Sequence, residues 1–496
     1  MTGSGNSRSK LALLDEQIAR AQARLDTLDR ERGKLEQDLS ALRGKRESIA
    51  RGEEDSRHTL DAQSTRSAAQ KVALFRSLFA GRTDVFPKHW HNPETDRKGY
   101  SPACSNEWVR GVCEKPRIKC GECPNQAFVP VTDRVILDHL QGRHVAGVYP
   151  MLDDETCHLL AVDFDKDGWK QDVEAFVETC RGFDLPAAVE RSRSGNGAHV
   201  WFFFSARVPA VAARKMGCFL LTETMARRHE LSMRSYDRLF PNQDTMPRGG
   251  FGNLIALPLQ HQARALGNTE FLDAHLNPHP DQWRYLEAIQ RIEPTRVESL
   301  ARRASETGQV TGVPMAEDEA SETPWLRLPS RRRKEEKIDG LLPSNIKAVL
   351  GSQVFVETDG LPPALVNRIK RMAAFQNPEF YKKQALRLST ALTPRVITCA
   401  EELPRHVGLP RGCLDALQKL LTEQQIELTL QDERTDGNPL DLSFHGSLTE
   451  LQQGAVRALL SHDFGVFVAP PGTGKTVVGT HLIAERARTT LVLVHR

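Results

Sequence analysis

The stretch Cys157-His-Leu-Leu-Ala-Val-Asp163-Phe-Asp165-Lys166 decides how the rest of the chain is read. Its apolar run, Leu159 to Val162, has the length and composition of a strand buried on both faces, and the run delivers two aspartates at its carboxyl end. Residues i and i+2 of a strand project to the same face, so Asp163 and Asp165 converge on one spot while Phe164 turns away. Two like charges so close favour a divalent cation. An oxygen-only donor set suits Mg²⁺ or Mn²⁺, and a pair of such ions can activate an attacking hydroxyl while neutralising a triphosphate leaving group. Ordinary surface strand ends also carry Asp-x-Asp, so the pair needs company before it carries a function.

The company comes about thirty residues on, in Glu190-Arg-Ser-Arg-Ser194-Gly195-Asn196-Gly197-Ala-His199-Val-Trp-Phe-Phe-Phe204. A polar turn with two glycines feeds an apolar strand. Such a turn can aim backbone N–H groups at phosphate oxygens, with Ser194, Asn196 and His199 as side-chain donors, or it can be a plain hairpin loop. A third acid to complete a metal site is sought in Ser235-Tyr-Asp237-Arg-Leu-Phe-Pro-Asn-Gln-Asp244-Thr-Met-Pro-Arg248, with Asp237 the first choice and Asp244 its rival. Lys166 and Arg248 are candidates for holding phosphate or template, or are solvated surface charges.

In this order, Asp-Phe-Asp, then Ser-Gly-Asn-Gly-x-His, then Tyr-Asp, the residues resemble the three motifs of archaeo-eukaryotic primase-polymerases. Val72 to Gln260 resembles more closely the primase domain of TOTE conflict systems. The resemblance implies an α+β catalytic domain with an RRM-like core. It implies that Asp163, Asp165 and Asp237 bind the divalent metals, and that Ser194 and His199, with Gly195, Asn196, Gly197 and Lys166, lie at the incoming nucleoside triphosphate. The reaction implied is nucleotidyl transfer on a single-stranded DNA template, in which a hydroxyl attacks the α-phosphate and pyrophosphate leaves.

Four of the nine cysteines fall together, Cys104, Cys113, Cys120 and Cys123, spaced C-x8-C-x6-C-x2-C. Four thiolates suit a closed, structural Zn²⁺ site that folds a core-poor loop. His89, His91 and His139 are spare candidates for one ligand position. Arg110, Lys115, Arg117 and Lys119 interleave with the cysteines and suggest contact with a nucleic-acid backbone, against a reading as solvated loop charge. The five scattered cysteines, Cys157, Cys180, Cys218, Cys399 and Cys413, read as small core hydrophobes.

A second strong motif is Phe464-Gly-Val-Phe-Val-Ala469-Pro-Pro-Gly472-Thr473-Gly474-Lys475-Thr476, an apolar strand running into a glycine turn and a helix. It resembles motif I of superfamily 2 helicases, and Leu448-Thr-Glu-Leu-Gln452 resembles their adenine-reading glutamine motif. The resemblance implies ATP binding, with Lys475 on the β- and γ-phosphates and Thr476 on magnesium. After the strand-like Thr489 to Arg496 no Asp-Glu-x-His box, arginine finger or second lobe follows, so the expectation is a truncated RecA-like α/β P-loop domain that binds ATP at most.

The 496 residues suit several domains. Apolar positions from Leu11 to Ile49 alternate in steps of three and four, which predicts a coiled coil over 1–53 and with it a homodimer, or a helix packed on its own chain. The expected order continues with a linker at 54–70, the catalytic domain with its zinc insertion at 71–303, a linker at 304–337, a mostly helical accessory domain at 338–440 and the helicase start at 441–496. Lys+Arg 67 against Asp+Glu 64 leaves only +3, so nucleic-acid contact must come from local clusters. No apolar run nears the ~18 residues of a membrane span, and the polar N-terminus lacks a secretory pattern, so a cytoplasmic protein with reduced cysteines is expected. The whole reads as a DNA primase-polymerase fused to an incomplete helicase module, acting in replication, repair or conflict with mobile elements. The alternatives are an ATP-dependent helicase or restriction-type translocase subunit, and a non-catalytic coiled-coil DNA-binding adaptor.

Overall fold

The structure is a computed structural model describing Gln22 and residues 66–165, 168–307, 310–311, 313, 338 and 341–494. The expected coiled coil (all but Gln22), Lys166, most of the expected linker at 304–337, and residues 495–496 lie outside the described residues. Among the described residues no helix is long and apolar enough to cross a membrane. The chain divides into two compact units that cut across the boundaries read from sequence: one holds the chain through Glu174, Asp184–Ala210 and Gly249–Pro294, the other Ala175–Phe183, Val211–Arg248 and Thr295–Arg496.

In the first unit, strands β1 (Pro87–Asn92) and β2 (Arg97–Pro102) form an antiparallel hairpin, and the short β3 (Gly147–Val148) pairs with Ile255–Ala256. The central sheet is built on β4 (Thr156–Asp165), β5 (Ala188–Arg191) and β6 (Gly197–Pro209), in the order β4-β6-β5 followed by Phe271–Leu272. All these pairings are antiparallel. The apolar run predicted as a buried strand is one: Leu159, Leu160, Ala161 and Val162 are each fully buried. Burying a leucine or valine side chain contributes about 1.5–3 kcal/mol, which fixes the strand's depth in the sheet. On the face shared by His199, Trp201 and Phe203, the helix Ala68–Leu78 ends on Phe79, whose ring meets Trp201 edge-on at 5.0 Å and Phe203 at 5.3 Å. That helix starts with a capping box between Ser67 and Gln70, two residues inside the expected linker.

In the second unit, residues 338–440 depart from the mostly helical expectation. A five-stranded sheet runs Glu401–Glu402, His406–Leu409, Val354–Glu357, Asn345–Leu350, Glu427–Asp432, with only the last pair parallel. The helices Pro363–Met372 and Leu414–Glu423 supply Leu365, Val366, Ile369, Leu417, Leu420 and Leu421 to its core. Their amphipathic periodicity dominates the sequence, whereas each strand is too short to show more than two or three alternations. Further on, the helix Lys475–Arg486 follows the glycine turn as expected and Glu450–Leu460 is helical too, but neither 464–469 nor 489–494 is a strand. A strand is held by hydrogen bonds to a neighbour, and among the described residues these segments have no strand partner, leaving Val466, Val468, Leu491 and Leu493 exposed.

Candidate active site

The central sheet places the motif residues by register. Asp163 of β4 lies opposite His199 of β6, and His199 lies opposite Glu190 of β5, so one row across three strands reads Asp163, His199, Glu190 on a single face. Asp165 shares that face one step along, opposite Gly197, and both aspartates are partly buried. The convergence expected of the two carboxylates follows directly from this pairing. Because β4 and β6 are antiparallel, the acid-bearing end of β4 and the glycine turn at the start of β6 lie side by side.

Within the row the contacts are close. His199 Nδ1 is 2.6 Å from Glu190 Oε2, the indole N–H of Trp201 donates to the same oxygen at 3.0 Å, and His199 Nε2 lies 3.7 Å from Asp163 Oδ1. Glu190 is only 1% exposed. Burial pushes the imidazole of His199 towards neutrality, but the Glu190 carboxylate beside it and then Asp163 outweigh this and raise its pKa above the ordinary value. Sequence reading singled out His199 and passed over Glu190. A buried carboxylate on the strand before the turn is the signal for it, since such a charge needs a partner.

The turn from Ser192 to Gly197 is a hairpin connection between β5 and β6, so both readings of its sequence describe the same loop. Ser194 Oγ accepts the N–H of Asn196 at 3.3 Å and lies 3.1 Å from Ser192 Oγ. Gly195 has φ +78°, and a Cβ there would meet Asn268 Oδ1 at 2.7 Å, so only glycine fits. Asn268 in turn donates to the carbonyl of Arg193.

The two candidates for a third acid belong to the second unit, gathered around the buried Arg395. Asp237 accepts the backbone N–H of Arg395 at 2.8 Å, and burial pushes its carboxyl up despite that bond. Asp244 is committed differently. Both its oxygens are bound by the guanidinium of the fully buried Arg214, Gln384 donates to Oδ2 at 3.0 Å, and Arg395 approaches to 3.5 Å. Burial alone would raise its pKa, yet the Arg214 and Arg395 charges hold it at about 2. Asp244 is thus held in a buried ion-pair network. The main-chain N–H of Arg248 donates to the carbonyl of Arg387.

Cys104, Cys113, Cys120 and Cys123 line a single cavity with Glu107, Lys115 and Asn125, and no histidine is among its walls. Four thiols are a zinc-type donor set, but among the described residues no three His, Cys, Asp or Glu side chains stand together so as to hold a metal ion. The spare histidines have other partners: His139 is fully buried between the N–H of Ala146 and the carbonyl of Pro258, and His91 lies 2.9 Å from Asp96. Of the scattered cysteines, Cys157, Cys180 and Cys218 are buried as expected, while Cys399 is exposed.

At the second motif, Gly472 and Gly474 adopt positive φ and the Lys475–Arg486 helix begins directly after them. Lys475 Nζ donates to the carbonyls of Ala469 and Pro470, and the Gln452 amide donates to the carbonyl of Thr473 at 3.0 Å. Gln452 is thereby tied to the loop that carries Thr473, directly ahead of the helix that carries Thr476.

No curated protein matches the chain. A solved structure described as the polymerase domain from Mycobacterium tuberculosis ligase D in complex with DNA is similar at 11% identity and a TM-score of 0.24, over 51% of this chain and 94% of that one. The stretch that carries β1 to β6 and the row Asp163, His199, Glu190 has its counterpart in one family: residues 70–300 match the model described as TOTE conflict system, Archaeo-Eukaryotic Primase domain.

Proposed function

We propose that the chain is a template-dependent primase-polymerase, joining nucleoside triphosphates on single-stranded DNA. The observation that carries this reading is the row Asp163, His199, Glu190, with Asp165 on the same face beside the glycine turn, inside the stretch matched by the primase model. Two partly buried carboxylates on one strand end are an oxygen donor set fitted to Mg²⁺ or Mn²⁺, with Asp237 as the third ligand in this reading; such ions supply charge neutralisation at the triphosphate. Ser194, Gly195, Asn196 and Gly197 bind phosphate oxygens through hydroxyl and backbone N–H groups, Lys166 adds a cation, and His199 donates from Nε2, the nitrogen on the Asp163 side. The four cysteines hold a structural zinc, and the coiled coil makes a homodimer. Replication, repair or conflict with mobile elements in the cytoplasm is the setting this activity suits.

The test is incorporation of labelled nucleotides on a single-stranded template with Mg²⁺ or Mn²⁺. Metal-dependent, template-dependent products are expected; DNA binding without any product would favour the adaptor reading instead. Glu190 supplies a finer check. It holds the ring of His199 through Nδ1, so Glu190→Ala should lower kcat/KM for nucleotide about ten- to hundredfold, the usual penalty for a misplaced contact, whereas Glu190→Gln, which keeps an acceptor for Nδ1 but removes the charge that favours the protonated ring, should fall between the alanine variant and the parent. Equal kinetics in the alanine variant would show that the glutamate does not orient the ring.

A second reading concerns the C-terminal part alone. The contacts of Gln452 and Lys475 with the glycine loop support ATP binding there, by Gln452, Gly472, Thr473, Gly474, Lys475 and Thr476.

A further inference from the structure

The β1–β2 hairpin has two unlike faces. Opposite residues of an antiparallel pair share a face, so His89 with Tyr100 and His91 with Lys98 lie on one side, and Lys88 with Ser101, Trp90 with Gly99 and Asn92 with Arg97 on the other. The first face is turned to the glycine turn: the rings of His89 and Tyr100 meet edge-on at 5.1 Å, and the charge of Arg193 in that turn acts on both. The second face carries an indole that is 42% exposed. Trp90 lies flat over Gly99, where a Cβ would come within 3.1 Å of the ring, so the glycine makes the seat for it.

That face continues into the cysteine loop. Ser101 donates to Glu107 at 2.9 Å, Glu107 pairs with Lys115 at 2.7 Å, and Lys115 Nζ stands 5.7 Å over the ring of Trp108, which is 69% exposed. Two large indoles are thus offered to solvent on elements joined through Ser101, Glu107 and Lys115, with the exposed cations Lys88 and Arg97 beside the first and the partly buried Lys115, paired with Glu107, beside the second. Tryptophan is costly to leave in water, whereas the chain's other described tryptophans, Trp169, Trp201 and Trp283, are buried.

From this arrangement we infer that the outer face of the hairpin, with Trp90 and Trp108, is the platform on which a single-stranded nucleic acid lies as template. Aromatic faces with interleaved cations fit successive bases and their phosphates without regard to sequence, and the opposite face of the same hairpin feels the charge of Arg193 in the turn proposed to bind the nucleotide. The inference rests on the primase-polymerase reading for the word template, and on the surface chemistry alone for the binding.

The test is fluorescence anisotropy of the full chain with a labelled single-stranded oligothymidylate, without nucleotide, beside incorporation on the same template. Trp90→Ala and Trp108→Ala should each weaken binding about tenfold, Trp90→Phe should restore most of it, and Lys88→Glu/Arg97→Glu should flatten the salt dependence by about one unit of slope per cation. These side chains are exposed, so the unfolding temperature should not move. Unchanged affinity in the double alanine variant, or a parent chain that does not bind the oligonucleotide, would overturn the platform. A parent that binds through the two indoles yet makes no product would instead overturn the polymerase reading and leave the platform standing.

Discussion

Asp163→Ala/Asp165→Ala should abolish metal-dependent nucleotide incorporation, a loss of about three orders of magnitude or more, while the chain stays folded and still binds DNA. Removing a single preorganised electrostatic contact costs about 10²–10³ in rate, and this substitution removes two carboxylates that would hold the cations offsetting a triphosphate's charge. The fold should tolerate the change because the pair sits at the carboxyl end of β4, partly exposed, while Cys157, Leu159 to Val162 and Phe164 supply the buried anchorage. Taking two like charges from one face relieves repulsion. The comparison is of initial rates across a Mn²⁺ titration, with circular dichroism on the same samples. Full activity in the double variant would remove these residues from the mechanism and, with them, the primase reading.

Asp244→Ala should act on stability and not first on chemistry. It strips the buried Arg214 of its two bonds to this carboxylate and Arg395 of an ion pair at 3.5 Å, and removing one partner of a buried ion pair costs about 3–5 kcal/mol. Arg214→Met in the same background should recover part of that loss, because an apolar chain of similar length needs no counter-charge. The sign with pH follows from the depressed carboxyl: its contribution is complete above the unfolded value near ~4 and is lost as pH falls towards the folded value of about 2. Urea unfolding at pH 7 and pH 3 measures both effects, and the gap between parent and variant should shrink at the lower pH. If Asp244→Ala instead unfolds like the parent but loses all incorporation, Asp244 rather than Asp237 is the catalytic third acid.

The local parts of this chemistry were legible in the sequence. A run of four apolar residues ending in Asp-Phe-Asp announces its strand and its shared face by period alone, and Gly-Asn-Gly announces its turn. Contacts that cross the fold left no such trace. Glu190 reaches His199 only because β5 and β6 pair in one register, and Arg395 meets Asp237 and Asp244 across roughly 150 positions of chain, a distance over which sequence pattern carries no information. The apolar segments at 464–469 and 489–494 failed in the opposite sense. Their composition is that of strands, but composition does not supply the neighbour a strand must pair with.

The row across β4, β6 and β5 makes the site a matter of counting. Substitutions along Leu159 to Val162 alter packing and leave the phase of the strand intact, whereas loss or gain of one residue there would rotate everything beyond it by half a period. Asp163 and Asp165 would then face the side now held by Phe164, and His199 would keep its glutamate but lose its acid. Drift in the length of β4 is therefore far more dangerous to this protein than drift in its letters.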